Sequence, residues 1–230
     1  MKSATAKLGT ASGMLGLAAL AAIASPLAMA DDLGWYGGVG IGRSRAKIDD
    51  ARIGSSLLGS GFAMSSITSD QRDAGYKLYG GYKFNRNFAV EGGYFDLGQF
   101  GFSANTVPAG NLNANIKLRG LNLDAVGTLP ISEKFSAFGR VGVNYAEARD
   151  AFSGSGAVSV LNANPSKRAA NLKFGAGMQY DFTPSVGMRL EAERYRIDDA
   201  VGNKGDVDLV SLGLVYRFGK ARATPGSGKP

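Results

Sequence analysis

No side chain in this 230-residue sequence can serve as an imidazole base or a thiolate, because histidine and cysteine are both absent. A His-ligated metal, a Cys nucleophile, a disulfide and a Cys-ligated zinc or iron–sulfur centre are therefore excluded. The ionisable groups that remain are 26 Lys and Arg against 19 Asp and Glu. Several of them fall at alternate positions within apolar stretches: Lys77, Lys83, Glu91, Asp124, Arg140, Lys173, Arg189, Glu191, Glu193 and Arg217, with Asn144 and Gln179 among them. Both signs occur, so the chemistry open to this set is mutual neutralisation, since charges taken out of water need partners. Asp–Asp or Ser–Lys catalysis would need a distinctive spacing, and none stands out; Asp49-Asp50 and Asp198-Asp199 read as loop acids. No enzyme, metal or cofactor is expected.

The elements that position these groups alternate apolar and polar residues with period two, in segments of about 9 to 13 residues. Eight such strands are predicted, at 34–45, 74–84, 88–99, 116–128, 135–147, 169–182, 186–197 and 207–218. All seven prolines fall outside them, as a residue without an N–H should. Long connections at 46–73, 100–115, 148–168 and 198–206 alternate with tight ones at Asn85-Arg86-Asn87, Pro130 to Lys134 and Thr183-Pro184-Ser185. That alternation is the pattern of an antiparallel up-and-down meander, and an even strand count lets it close into a barrel. The first connection, 46–73, is read as an exposed loop and the largest recognition surface.

The first thirty residues have a different character. Lys2 and Lys7 precede the apolar run Met14–Ala24, Pro26 breaks it, and Ala28-Met29-Ala30 has the small-x-small form of a cleavage site. Residues 1–30 are thus predicted to be an export signal, 31–219 the barrel and 220–230 a short Gly/Pro-rich tail. Without Lys2 and Lys7, 24 basic residues face 19 acidic ones, spread along the chain, which argues against nucleic-acid binding.

Period two alone does not separate an apolar core from an apolar skin. One face carries Tyr76, Leu78, Tyr82 and Phe84, then Leu121 and Leu123, Val141, Val143 and Tyr145, Leu172 to Phe182, and Val210 to Phe218 on alternate positions. Its aromatics gather at strand ends around a band of aliphatics, the distribution that two membrane interfaces select. The other face is polar and rich in glycine. An interior network of Lys77, Glu91, Asp124, Arg140, Lys173, Arg189, Glu191, Glu193 and Arg217 is predicted, with Asp124 paired to Arg140. Glycines such as Gly38, Gly40, Gly42, Gly81, Gly93, Gly142, Gly175 and Gly177 would leave space for Lys and Arg stems. Arg194 and Arg196 share the parity of the lipid face. Arginine is costly only deep in hydrocarbon, so they are placed at the outer rim, as contacts for lipopolysaccharide phosphates.

The run Gly80-Gly81-Tyr82-Lys83-Phe84-Asn85-Arg86-Asn87-Phe88-Ala89-Val90-Glu91-Gly92-Gly93-Tyr94-Phe95-Asp96-Leu97-Gly98 resembles the second hairpin of OmpA-like outer-membrane barrels. Trp35 to Gly40, Phe174 to Tyr180 with Thr183-Pro184 and Arg189-Leu190-Glu191, and the closing Leu209 to Phe218 are similar to other strands of that family. The resemblance implies a monomeric eight-stranded barrel in the Gram-negative outer membrane, with short turns in the periplasm. It implies passage through periplasmic chaperones and the barrel-assembly machinery, with Phe218 as the terminal aromatic that aids recognition. It also implies that Glu91, Arg140, Arg189 and Glu191 belong to a polar plug. It covers the barrel alone, so the cell-wall tethering of full-length OmpA proteins does not carry over.

The expected role is structural or surface-interacting. A small low-conductance pore and a soluble exported ligand-binding barrel are the alternatives. Lumenal charge pairs count against an open pore, and end-clustered aromatics count against solubility. The loops hold few large aromatics, chiefly Phe62, Phe102 and Phe152, so no recognition hot spot stands out.

Overall fold

A computed structural model describes residues 33–198 and 204–218. The expected export signal, 1–30, and the tail, 220–230, lie outside the described residues.

The chain forms β1 (Gly34–Ala46), α1 (Asp50–Gly59), β2 (Ala63–Asp70), β3 (Arg72–Lys83), β4 (Phe88–Val107), β5 (Gly110–Pro130), β6 (Phe135–Gly156), β7 (Ser166–Asp181), β8 (Val186–Asp198) and β9 (Lys204–Arg217). Around the ring each of the eight strands other than β2 pairs antiparallel with two neighbours, β4 pairs with β2 as well, and β1 closes the ring against β9. The barrel therefore has eight strands. β2 is a ninth, laid along the upper part of β4 beyond the point where β3 stops pairing with it.

Side chains fasten the three short turns. Asn85 Oδ1 accepts from the N–H groups of Asn87 and Phe88, each at 2.8 Å. Ser132 Oγ accepts from the Phe135 N–H at 3.1 Å, and Thr183 Oγ1 from the Val186 N–H at 2.9 Å. These are local Asx- and ST-type bonds, which is why the turns were legible from residue type.

The opposite end departs from expectation. Positions 100–115, read as a loop, are strand: β4 and β5 run on as a ladder to a turn at Pro108-Ala109. β6 has 22 residues rather than the 13 expected. Nor is 46–73 a plain exposed loop. Asp49 caps α1 by accepting the Arg52 N–H at 3.1 Å, α1 buries Leu57, and β2 follows. The helix escaped the period-two reading because it is short and flanked by strand residues.

A β-bulge between Asp96 and Gly98 shifts the register of β4 against β5. Gly98 has φ +84°, and a Cβ there would press on Asp73 and on the Ala74 carbonyl, so glycine is required. Beyond the bulge the parity of β4 is reversed. Phe95 and Leu97 face inward before it, and Phe100 and Ala104 after it.

Outward-facing residues form a continuous apolar band that includes Val39, Ile41, Leu78, Leu121, Leu123, Val141, Leu172, Leu190, Leu212 and Leu214, all exposed. Near the short turns it is edged by edge-to-face ring pairs: Trp35–Tyr82, Tyr82–Phe84, Tyr180–Phe182 and Tyr216–Phe218, with centroids 5.2–5.3 Å apart. Tyr76, Tyr94 and Tyr145 edge the other side. From Phe135 to Tyr145 on β6 is about 33 Å of strand. A tilt near 45° makes that about 23 Å, close to the height of about 25 Å of the apolar band of a transmembrane barrel. β4, β5 and β6 rise well above it.

Candidate functional site

The lumen is filled in three layers. Nearest the short turns, Tyr36, Tyr79, Ala89, Val126, Phe138 and Val215 form a small apolar cluster. Their side chains need space on facing strands. A Cβ at Gly81 would lie 2.6 Å from the Tyr36 ring, one at Gly38 2.5 Å from the Tyr79 ring and one at Gly177 2.5 Å from the Phe138 ring. The lumenal glycines were expected to clear Lys and Arg stems; at these positions they clear aromatic rings instead.

Above this layer the structure brings together eight charged side chains from β3 to β8: Lys77, Glu91, Asp124, Arg140, Lys173, Arg189, Glu191 and Glu193. All are at most 7% exposed, so their charges meet protein rather than solvent. Arg140 is the hub. Its guanidinium lies 3.1 Å from Glu91, 3.2 Å from Glu193, 3.3 Å from Glu191 and 3.4 Å from Asp124. Lys173 Nζ bridges Asp124 at 2.7 Å and Glu193 at 2.8 Å. Lys77 Nζ contacts Glu191 and lies 2.8 Å from Glu193. Arg189 reaches Glu91 at 2.6 Å and donates to Gln179 Oε1 at 2.7 Å. It also lies over the rings of Phe138, Tyr79 and Tyr36, at 5.0, 5.2 and 5.4 Å from their centroids. Four acids and four bases balance, which is what a dry site permits.

Asp124 and Arg140 meet diagonally, because Asp124 stands opposite Gly142 in the ladder and Arg140 opposite Val126. Arg217 is placed elsewhere. It lies at the short-turn mouth, half-buried, and binds Asp181 and the Pro184 carbonyl. It is too near the end of β9 to reach the cluster. Tyr36, whose hydroxyl donates to Glu91 at 2.8 Å, belongs to the network and was not singled out. Its inward parity, two residues before Gly38, was the available signal.

The third layer is apolar: Phe95, Leu97, Phe100, Leu118, Ala146, Ala148, Tyr195, Ile197, Val207 and Leu209. Phe95 and Tyr195 pack with tilted rings, centroids 4.6 Å apart. The Tyr195 hydroxyl donates to Glu193 at 3.2 Å, and its ring lies 4.9 Å from Lys173 Nζ, so this residue joins the two layers. The interior is thus layered, with apolar side chains above and below the charged ones, rather than polar throughout.

Outside, just beyond Tyr145, Glu147 is surrounded by Arg119, Arg149 and Arg168, each within 2.8–3.1 Å. Arg194, on the outward face as expected, is held bidentate by Asp208 at 2.6 and 2.7 Å, which neutralises it. Arg196 is exposed and stands across the ladder from Asp206. At the last strand's end the Phe218 N–H donates to the Trp35 carbonyl at 2.9 Å, helping to join the chain's closing residues to β1.

A closed antiparallel ring with a lipid-facing apolar band, two aromatic girdles and an ion-paired lumen defines a transmembrane β-barrel. Residues 30–222 match the OmpA-like transmembrane domain, and the chain belongs to that family. It is 28% identical over 194 residues to outer membrane protein A of Shigella flexneri, covering 83% of this chain and 50% of the relative. It is 27% identical to the Salmonella typhi protein of the same name, with the same coverage. The chain spans about half the length of these relatives. Neisserial surface protein A shares the fold, with TM-score 0.53 at 12% identity, over 80% of this chain and 97% of that one. The chain is an outer-membrane protein of the Gram-negative envelope, and a water-soluble exported barrel is set aside.

Proposed function

We propose that this protein is a non-enzymatic, monomeric barrel whose lumen is closed and whose work is done by its outer surface. The ion cluster around Arg140 carries the reading. An eight-stranded barrel is only wide enough for side chains to fill, and here layers of charged and apolar groups fill it. The tall β4–β6 wall with β2 then forms a rigid platform above the membrane. The N-terminal 30 residues serve as the export signal. Phe218 presents the terminal aromatic to the barrel-assembly machinery after periplasmic chaperones deliver the chain.

The outward basic groups give the barrel a contact with lipopolysaccharide phosphates. Arg119, Arg149 and Arg168 share a single carboxylate, leaving net positive charge where phosphates of the outer leaflet lie. They supplement Arg194, which Asp208 holds, and Arg196, which stands across the ladder from Asp206.

Recording in planar bilayers tests the closed lumen. Folded protein is expected to show no steady conductance, and persistent channels in heat-modifiable, correctly folded material would establish the pore instead. For the lipid contact, co-purified lipopolysaccharide is weighed by mass analysis. Alanine at Arg119, Arg149 and Arg168 together is expected to lower it more than alanine at Arg194 and Arg196. Unchanged retention in both variants removes the contact.

A further inference from the structure

Between α1 and the raised ends of the strands lies a cavity of about 390 Å³. Phe100, Phe102, Ile116 and Phe152 wall it, Ile53 and Leu57 of α1 face it, and Ile197 and Val207 lie toward the barrel. Two of these aromatics, Phe102 on β4 and Phe152 on β6, stand on the strand extensions where the sequence pattern predicts loops. The bulge at Gly98 turns the β4 pair Phe100 and Phe102 inward together.

We propose that this cavity binds a small, uncharged, largely apolar molecule. The size and chemistry of the walls carry the proposal. A dry aliphatic and aromatic cavity of about 150 Å³ accepts one benzene. This cavity is two to three times larger, enough for a fused bicyclic ring or a medium-length alkyl chain. The cavity is open on one side and its lining also includes Lys47, Asp49, Arg52 and Asp206, so water reaches it, and an apolar guest would displace that water from the aromatic and aliphatic walls. Ser60 Oγ is already committed to the Ser56 carbonyl at 3.1 Å, and Asp49 to the Arg52 N–H at 3.1 Å. An apolar guest gains dispersion contacts with Phe100, Phe102, Ile116 and Phe152 that water does not make.

Charge selects the neutral form. The charged residues of the lining are Lys47 and Arg52 against Asp49 and Asp206. Two of each sign give no net attraction for an anion or a cation, and either would leave water for a site without a dedicated partner. On the barrel side the packed Phe95–Tyr195 pair separates the cavity from the ion cluster, so the site is one of capture rather than passage.

The test uses the full barrel in lipid nanodiscs, with Ile and Leu methyls labelled and naphthalene as the probe. Saturable shifts are expected at Ile53, Leu57, Ile116 and Ile197, and none of that form at lipid-facing Leu121, Leu172 and Leu212. 2-Naphthoate is expected to bind at least tenfold more weakly. Ile116→Trp, which fills the space, is expected to abolish saturation while gel mobility still shows a folded barrel. Leu112→Phe provides a milder fill if the first variant does not fold, with weaker saturation expected. Non-saturating shifts shared with the lipid-facing methyls overturn the proposal, as does saturation unaffected by filling. Equal binding of naphthoate overturns its preference for a neutral guest.

Discussion

Glu193 and Tyr195 lie two positions apart on β8, and both side chains point into the same lumen. The first lies among three cationic groups, Lys77, Arg140 and Lys173. The second packs on Phe95 within an apolar layer. The ionic layer is specific: each charge has a value only if partners from other strands arrive at hydrogen-bond distance, and a displaced charge is left in a dry interior. The apolar layer is permissive in direction, since burial rewards area rather than angle. On the proposed reading the lower layer holds register and closes the lumen, while the upper one packs above it and leaves space for a guest.

The sharpest way to break this contrast is to remove the hub. Arg140→Met leaves four carboxylates facing three cations and is expected to destabilise the folded barrel by about 3–5 kcal/mol, measured by urea unfolding in lipid vesicles. It should also admit water and raise conductance above wild type. An unchanged stability would show that the cluster is filler rather than constraint.

In the apolar layer, Leu209→Ala is expected to cost about 2–5 kcal/mol through lost burial and a cavity. It should leave conductance at the wild-type level, because the ion cluster beneath is intact. A conductance rise would mean that both layers hold the lumen shut.

Smaller is Gly177→Ala. Its Cβ would sit 2.5 Å from Phe138 and from the Leu190 carbonyl, so about 1–3 kcal/mol of overpacking is expected in the same unfolding assay. Pairing it with Phe138→Leu should recover part of the loss, and no recovery would show that the backbone contact dominates.

The least effect is expected at the rim. Asp49→Ala removes the cap of α1 and should cost about 1 kcal/mol. Hydrogen exchange of the α1 amides is expected to quicken, while the amides of β5 and β6 stay protected. Quickening in both would show that the helix helps to stabilise the wall.

Which of these features could be read in advance follows from the range of the interaction behind them. The eight barrel strands and three short turns were legible because they rest on local patterns: alternation, proline placement, and Asn, Ser or Thr side chains that bond backbone a few residues away. The inward side of Glu91, Asp124, Arg140 and Lys173 followed from parity. Arg217 shared that parity, but parity carries no depth, and its place at the mouth was hidden. The extra length of β4 to β6 was missed because polar strand ends resemble loops, and α1 because one short helix interrupts a period-two chain.

By itself the sequence determined a His- and Cys-free chain of alternating strands with one apolar and one polar, glycine-rich face. The tertiary structure alone decided which charges meet. Glu91, Arg140 and Glu193 lie on β4, β6 and β8, none of them adjacent in the ring, and only closure brings them within 3.2 Å of one another's partner atoms. It also decided that a single bulge at Gly98 would turn Phe100 and Phe102 inward beneath a helix. Period two is a property of one strand, whereas a lumen is a property of the closed ring: its contacts depend on register, tilt and depth, which no strand carries alone.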